Sequence, residues 1–119
     1  MVVEDEPAVL QVLQHLLTDE GYLVSTAQNG KEGLEKISDS SGPPNLILAD
    51  INMPVMDGLK LVSLVKNNQS YKDIPVIIIT TEGAKEDKER ALAIGANAYL
   101  AKPIQTQELI KLVNSFIGS

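Results

Sequence analysis

The chain has 119 residues, 44% apolar and 22% charged, a composition that supports a buried core and, at this length, one domain over residues 1–119. Sixteen acidic residues against ten basic ones give a net charge of −6 with no basic cluster, which disfavours direct binding to a nucleic-acid backbone. The lack of cysteine removes disulfides, thiolate metal sites and thiol nucleophiles. No run approaches the ~18 apolar residues of a membrane span and no basic segment followed by an apolar run opens the chain, so a cytoplasmic protein is expected.

Short apolar runs alternate with helical patterns along the chain. Met1 to Val3 reads as a first strand. Val9, Val12, Leu13, Leu16 and Leu17 then fall on one helical stripe, with Pro7 at its first turn and Gly21 at its stop. Tyr22 to Ser25 reads as a second strand, and a helix follows over about Lys31 to Ser38 after the Asn29-Gly30 turn. Ser38 to Pro44 is a loop by composition. Leu46 to Ala49 and Val76 to Ile79 are continuously apolar, as strands covered on both faces are. Between them lies a helix at Gly58 to Asn68 that Asp57 is placed to cap. Lys85 to Ile94 is a fourth helix ended by Gly95, and Ala98 to Ala101 a fifth strand. Leu109, Leu112, Val113, Phe116 and Ile117 form the apolar face of a last helix, with Thr106 as its expected N-cap. Five strands alternating with five helices predict an α/β fold: a parallel sheet wound on both faces, with its chemistry at the carboxyl ends of the strands.

The residues at those ends are Glu4-Asp5, Asp50, Thr80-Thr81 and Lys102-Pro103. Carboxylates gathered in one crevice repel; a like pair at 4 Å costs about 4 kcal/mol at an effective dielectric of 20. A cation must offset this, or some of the carboxylates must be protonated. With oxygen donors alone, the ion that fits is Mg²⁺, which takes one or two carboxylates, a carbonyl and waters and leaves room for phosphate oxygens. An aspartate beside Mg²⁺ and a lysine has the makings of a nucleophile toward phosphorus, with a threonine hydroxyl to hydrogen-bond the product.

The segments Val2-Val3-Glu4-Asp5-Glu6-Pro7, Asp50 to Gly58, Pro75 to Thr80 and Gly95 to Pro103 resemble the receiver domain of two-component response regulators. The resemblance implies a flavodoxin-like sheet of order 2-1-3-4-5. It implies that Asp50 is the phosphoacceptor, that Asp5, Asp50 and the main-chain carbonyl of Asn52 hold Mg²⁺, and that Glu4 assists through water. It further implies that Thr80 and Tyr99 are the switch pair, and that Lys102 contacts the phosphoryl group ahead of a cis Pro103 bond. Asn52, Thr81 and Glu82 stand where the family tunes phosphoryl kinetics. Thr81 replaces a common alanine and is expected to slow transfer by narrowing access. Glu4 stands where Asp is commoner, a substitution the family tolerates.

The function implied is that of a phosphorelay switch that accepts a phosphoryl group from a phosphohistidine and alters its surface over the fourth helix and fifth strand. Catalysis is limited to its own phosphoryl acceptance and loss, so the protein is not an enzyme in the ordinary sense. Its partners would be a histidine kinase or histidine phosphotransfer protein upstream and an effector downstream. The first strand is short for the family, so further residues are expected ahead of Met1. The chain stops after the fifth helix, so it is expected to be either a stand-alone regulator or a receiver from a longer regulator or hybrid kinase whose tethered output domain is absent here. A degenerate receiver that binds partners without phosphorylation is the alternative. A haloacid-dehalogenase-type phosphatase fits less well, because that family places its nucleophile in an Asp-x-Asp motif after the first strand. A nucleotide or flavin site lacks its glycine motifs. His15 is expected as a surface histidine, Met53 and Met56 as packing residues, and Lys85 to Arg90 as a solvated face.

Overall fold

In a computed structural model, which describes residues 1–39, 43–51, 53, 56–81 and 85–117, strands and helices alternate throughout. They are β1 (Val2–Val3), α1 (Pro7–Asp19), β2 (Thr26–Ala27), α2 (Gly30–Asp39) and β3 (Ile47–Asp50), followed by α3 (Gly58–Lys66), β4 (Val76–Thr81), α4 (Lys85–Ala93), β5 (Ala98–Lys102) and α5 (Thr106–Ile117). The strands form one parallel sheet in the order β2-β1-β3-β4-β5, so both the doubly wound fold and the strand order are as expected.

Alternation along each strand divides the core in two. Val3, Ile47, Ala49, Val76 and Ile78 face α2, α3 and α4, where Ile37, Leu61, Val62, Val65 and Ala91 meet them. Val2, Leu48, Ile77, Ile79 and Leu100 face α1 and α5, against Leu13, Leu17, Leu109 and Val113. The unbroken apolar runs in β3 and β4 follow from this, since both faces of those strands are covered. Burial on α4 is thin: Ala91 is its one fully buried residue among those described, whereas α3 buries Gly58, Leu61, Val62 and Val65.

Two local expectations are corrected. The second strand is Thr26–Ala27 rather than Tyr22 to Ser25. The register Val2↔Thr26 leaves Tyr22 to Val24 opposite no residue of β1, so that segment joins no ladder; Tyr22 and Val24 still pack inward while Leu23 is fully exposed. Thr106 is the first residue of α5 rather than its cap, and the carbonyl of Gln105 accepts the bond from the Leu109 N–H. Other stops and caps are as read. Gly21 and Gly95 have φ of 93° and 114°, the left-handed conformation that glycine adopts at little cost where a helix ends. Asp57 accepts a 2.8 Å hydrogen bond from the Lys60 N–H and caps α3. Part of the Ser38 to Pro44 loop belongs to α2, and residues 40–42 lie outside the described residues.

No helix is long and apolar enough to cross a membrane among the described residues.

Candidate active site at the carboxyl edge of the sheet

The parallel sheet ends its central strands on polar residues at one edge. β1 runs into Glu4 and Asp5, β3 ends at Asp50, β4 carries Thr80 and Thr81, and β5 ends at Lys102. One carboxylate oxygen from each of Glu4, Asp5 and Asp50 falls within 4.8 Å of the other two. Glu4 is 0% exposed, Asp50 3% and Thr80 0%, and these are the buried polar side chains among the described residues. Asp5 is half-buried and opens the group toward solvent.

Lys102 closes the cluster. Its Nζ donates to Asp50 Oδ2 at 2.7 Å and to Glu6 Oε1 at 3.4 Å, and stands 3.9 Å from Glu4 Oε2. The Lys102-Pro103 bond is cis, as the sequence resemblance implies.

Burial foremost, and then the adjacent Asp50 carboxyl, push the Glu4 carboxyl up to about 8, against the opposing pull of the Glu6 N–H and the Lys102 ammonium. Burial acts to lower Lys102, but Asp50, Glu4 and Glu6 outweigh it and hold its ammonium above the usual lysine value. One lysine therefore does not neutralise the site. Glu4 Oε2 and Thr80 Oγ1 are also buried without a hydrogen-bond partner among the described residues. A buried polar atom left so costs on the order of 1–3 kcal/mol. An all-oxygen donor set with surplus negative charge fits a hard divalent cation, and the unpaired hydroxyl is poised for a further acceptor.

The surrounding backbone is tightly built. The Gly58 N–H donates to the Ile51 carbonyl at 3.0 Å, and a Cβ at Gly58 would collide with the Asp50 carbonyl oxygen and come within 2.8 Å of Ile51 Cα. The start of α3 is thereby seated directly behind the end of β3. On the other flank Tyr99 is 39% exposed, and the Lys88 ammonium of α4 lies 4.6 Å from its ring centroid, a cation–π contact. Thr81 is exposed and in register with Lys102.

Glu4, Asp5, Asp50, Thr80 and Lys102 thus lie at one sheet edge, as the strand-end argument expects, while Tyr99 sits on the outer part of β5 toward α4. Asn52 and Glu82 lie outside the described residues. His15 is on the surface and pairs with Asp19 at 3.3 Å, and Met53 and Met56 pack against the core. Two residues gain a place that the strand-end reading does not assign: Gly58, through its backbone approach, and Glu6, through Lys102. A glutamate at the residue before Pro7, where helices favour Ser, Thr, Asp or Asn, is the sequence signal that marks Glu6.

The chain is similar to known proteins in sequence and fold. The chain is 34% identical over 119 residues to protein PilG of Pseudomonas aeruginosa, covering all of this chain and 87% of that protein. It is 36% identical over 120 residues to the chemotaxis protein CheY1 of Helicobacter pylori, covering all of this chain and 96% of that one. Among solved structures, Vibrio cholerae chemotaxis protein CheY4 superposes with a TM-score of 0.88 at 35% identity, over 98% of this chain and 95% of that one. The receiver domain of the Pseudomonas aeruginosa sensor histidine kinase PA1611, solved with a magnesium ion coordinated in its active-site cleft, gives 0.87 at 30% identity, over 99% and 95%. The response regulator receiver domain model matches residues 1–114, and the chain belongs to that family of two-component signalling domains.

Proposed function

We propose that this chain is a single phosphorylation-dependent receiver over residues 1–119, and that Asp50 is its phosphoacceptor. The observation that carries the reading is the buried Asp50 carboxylate, grouped with two further carboxylates inside 4.8 Å and bonded to Lys102 at 2.7 Å. Asp5, Asp50 and the main-chain carbonyl of Asn52 would hold Mg²⁺, with Glu4 reached through water. When bound, the ion supplies positive charge for the phosphoryl oxygens and relieves the carboxylate crowding.

An Asp50 oxygen attacks phosphorus while the bond from phosphorus to the donor imidazole nitrogen breaks. The electron pair stays on that nitrogen, which is left as a neutral or reprotonated histidine. Lys102 turns from the Asp50 carboxylate to a phosphoryl oxygen. Thr80, whose hydroxyl is buried and unpartnered, donates to another. Such a charge-assisted bond is worth about 1.5–3 kcal/mol, enough to shift a pre-existing equilibrium on the order of tenfold to a hundredfold. Movement of Thr80 frees space that the Tyr99 ring enters, and the surface of α4 and β5 changes with it. Thr81, Asn52 and Glu82 stand at the sequence positions that set the rates of phosphoryl gain and loss.

A histidine kinase or phosphotransfer protein is the donor class, and an effector protein reads the altered face. Incubation with phosphoramidate and Mg²⁺, followed by intact mass and site mapping, tests the assignment. One phosphoryl adduct, absent in Asp50→Asn, is expected. No adduct would leave the unphosphorylated interaction module standing in its place, and an adduct that survives Asp50→Asn would move the acceptor elsewhere.

A further inference from the structure

We propose that Glu6 is a positioning residue that holds the Lys102 ammonium toward the mouth of the crevice and thereby sets how readily Asp50 accepts a phosphoryl group from a small anionic donor. The inference rests on the phosphorylation reading above. Three observations carry it.

The first is contact. Lys102 Nζ is shared between buried Asp50 Oδ2 at 2.7 Å and Glu6 Oε1 at 3.4 Å, and the Glu6 side chain is 61% exposed, so the ammonium bridges the interior and the rim.

The second is that Glu6 breaks a local rule. It is the N-cap of α1, yet its side chain makes no capping hydrogen bond, although capping is what favours Ser, Thr, Asp or Asn there. Pro7 at the start of the helix removes one amide that would need a cap. The Glu6 N–H instead donates to Glu4 Oε1 at 3.1 Å, tying the residue's backbone to the acidic pair while its carboxylate reaches across to β5. A residue that forgoes its helix role for a contact across the crevice marks a functional constraint.

The third is the sign of the charge. An arriving phosphoryl oxygen must take the ammonium from Glu6, and the donor, itself an anion, must pass an exposed carboxylate. Both effects slow acceptance, and both relax when the contact is removed. For a partly exposed ion pair the expected change is about threefold to fivefold.

The test compares wild type, Glu6→Gln and Glu6→Asp in initial rates of phosphoryl incorporation from phosphoramidate with Mg²⁺, at fixed ionic strength, read by intact mass. In that reaction an Asp50 oxygen bonds phosphorus, the phosphorus–nitrogen bond breaks, and the nitrogen leaves as ammonia. Glu6→Gln removes the charge at constant size. Glu6→Asp keeps the charge but withdraws it by one methylene, and aspartate is a favoured N-cap, so α1 is not weakened. Both variants are expected to react about threefold to fivefold faster than wild type. If Glu6→Asp matches wild type while Glu6→Gln is faster, Glu6 acts as a field on the donor rather than through Lys102, and the proposal falls. It falls equally if neither variant is faster. An adduct on wild type with unchanged variant rates overturns this proposal alone, whereas no adduct on wild type overturns the phosphorylation reading and this one with it.

Discussion

Two lysines at opposite ends of the sheet show how the same side chain serves structure in one place and chemistry in the other. Lys66, at the end of α3, lies at the amino edge. Its Nζ donates to the carbonyls of Ile74 at 2.8 Å and Lys72 at 3.2 Å and to Asn97 Oδ1 at 2.9 Å. Asn97 Oδ1 also accepts from the Val76 N–H, so one knot ties α3 to the starts of β4 and β5. Its acceptors are neutral, and burial holds Lys66 below the usual lysine value despite Asp73 nearby. Lys102 faces three carboxylates at the carboxyl edge, and its ammonium is held above that value. A donor whose three protons meet three neutral oxygens is finished as a structural device. A donor set among more negative charge than it neutralises leaves a site that still calls for cations and anions.

The largest effect that sharpens this contrast is the pH dependence that Glu4 adds at the carboxyl edge. The folded protein holds a proton on Glu4 up to about 8, while the unfolded chain releases it near 4.5. Through Glu4 the folded protein binds more protons across that window, so in the absence of divalent ions this group's contribution to stability falls as pH rises from 4.5 toward 8 and levels beyond it, while the buried Met1 amine, lowered to about 6, works in the opposite direction between 6 and 8. Read as the difference between wild type and Glu4→Gln, the fall is expected to be on the order of 3 kcal/mol and to shrink with Mg²⁺. Urea midpoints between pH 5 and 9, with and without Mg²⁺, measure it; an equal slope in Glu4→Gln would remove Glu4 as the cause.

Next in size is Lys66→Met, which strips the donor from three oxygens and is expected to cost about 2 kcal/mol, unchanged by Mg²⁺. If Mg²⁺ rescued this variant in thermal melts, the two edges would not be independent. The smallest effect is Lys88→Ala. Loss of an exposed cation–π contact is worth about 0.5–1 kcal/mol and should be felt first at Tyr99, as a shift of its ring resonances in NMR with little change in melting temperature.

Much of this was legible in the residues. Unbroken apolar runs announce β3 and β4 because both faces of those strands are covered, and polar residues at strand ends announce the crevice because parallel strands all point one way. The edge strand is less legible because Tyr22 to Ser25 carries the apolar residues, while ladder pairing falls where β1 offers a partner, at Thr26 and Ala27. The Lys66 knot was hidden because its acceptors are mostly main-chain carbonyls, which every sequence supplies equally. Glu6 announces itself only as an unusual cap before Pro7; its partner Lys102 depends on which neighbour lies across the crevice, not on spacing along the chain.

The thin burial of α4 bears on what the protein is able to signal with. Detaching a helix held by Leu61, Val62 and Val65, as α3 is, would forfeit about 1.5–3 kcal/mol for each side chain drawn out of the core. Releasing one alanine forfeits far less, below the worth of a single charge-assisted hydrogen bond such as the one proposed for Thr80. If Asp50 is phosphorylated as proposed, α4 is, of the two helices compared, the one that the free energy of one such bond would suffice to relocate.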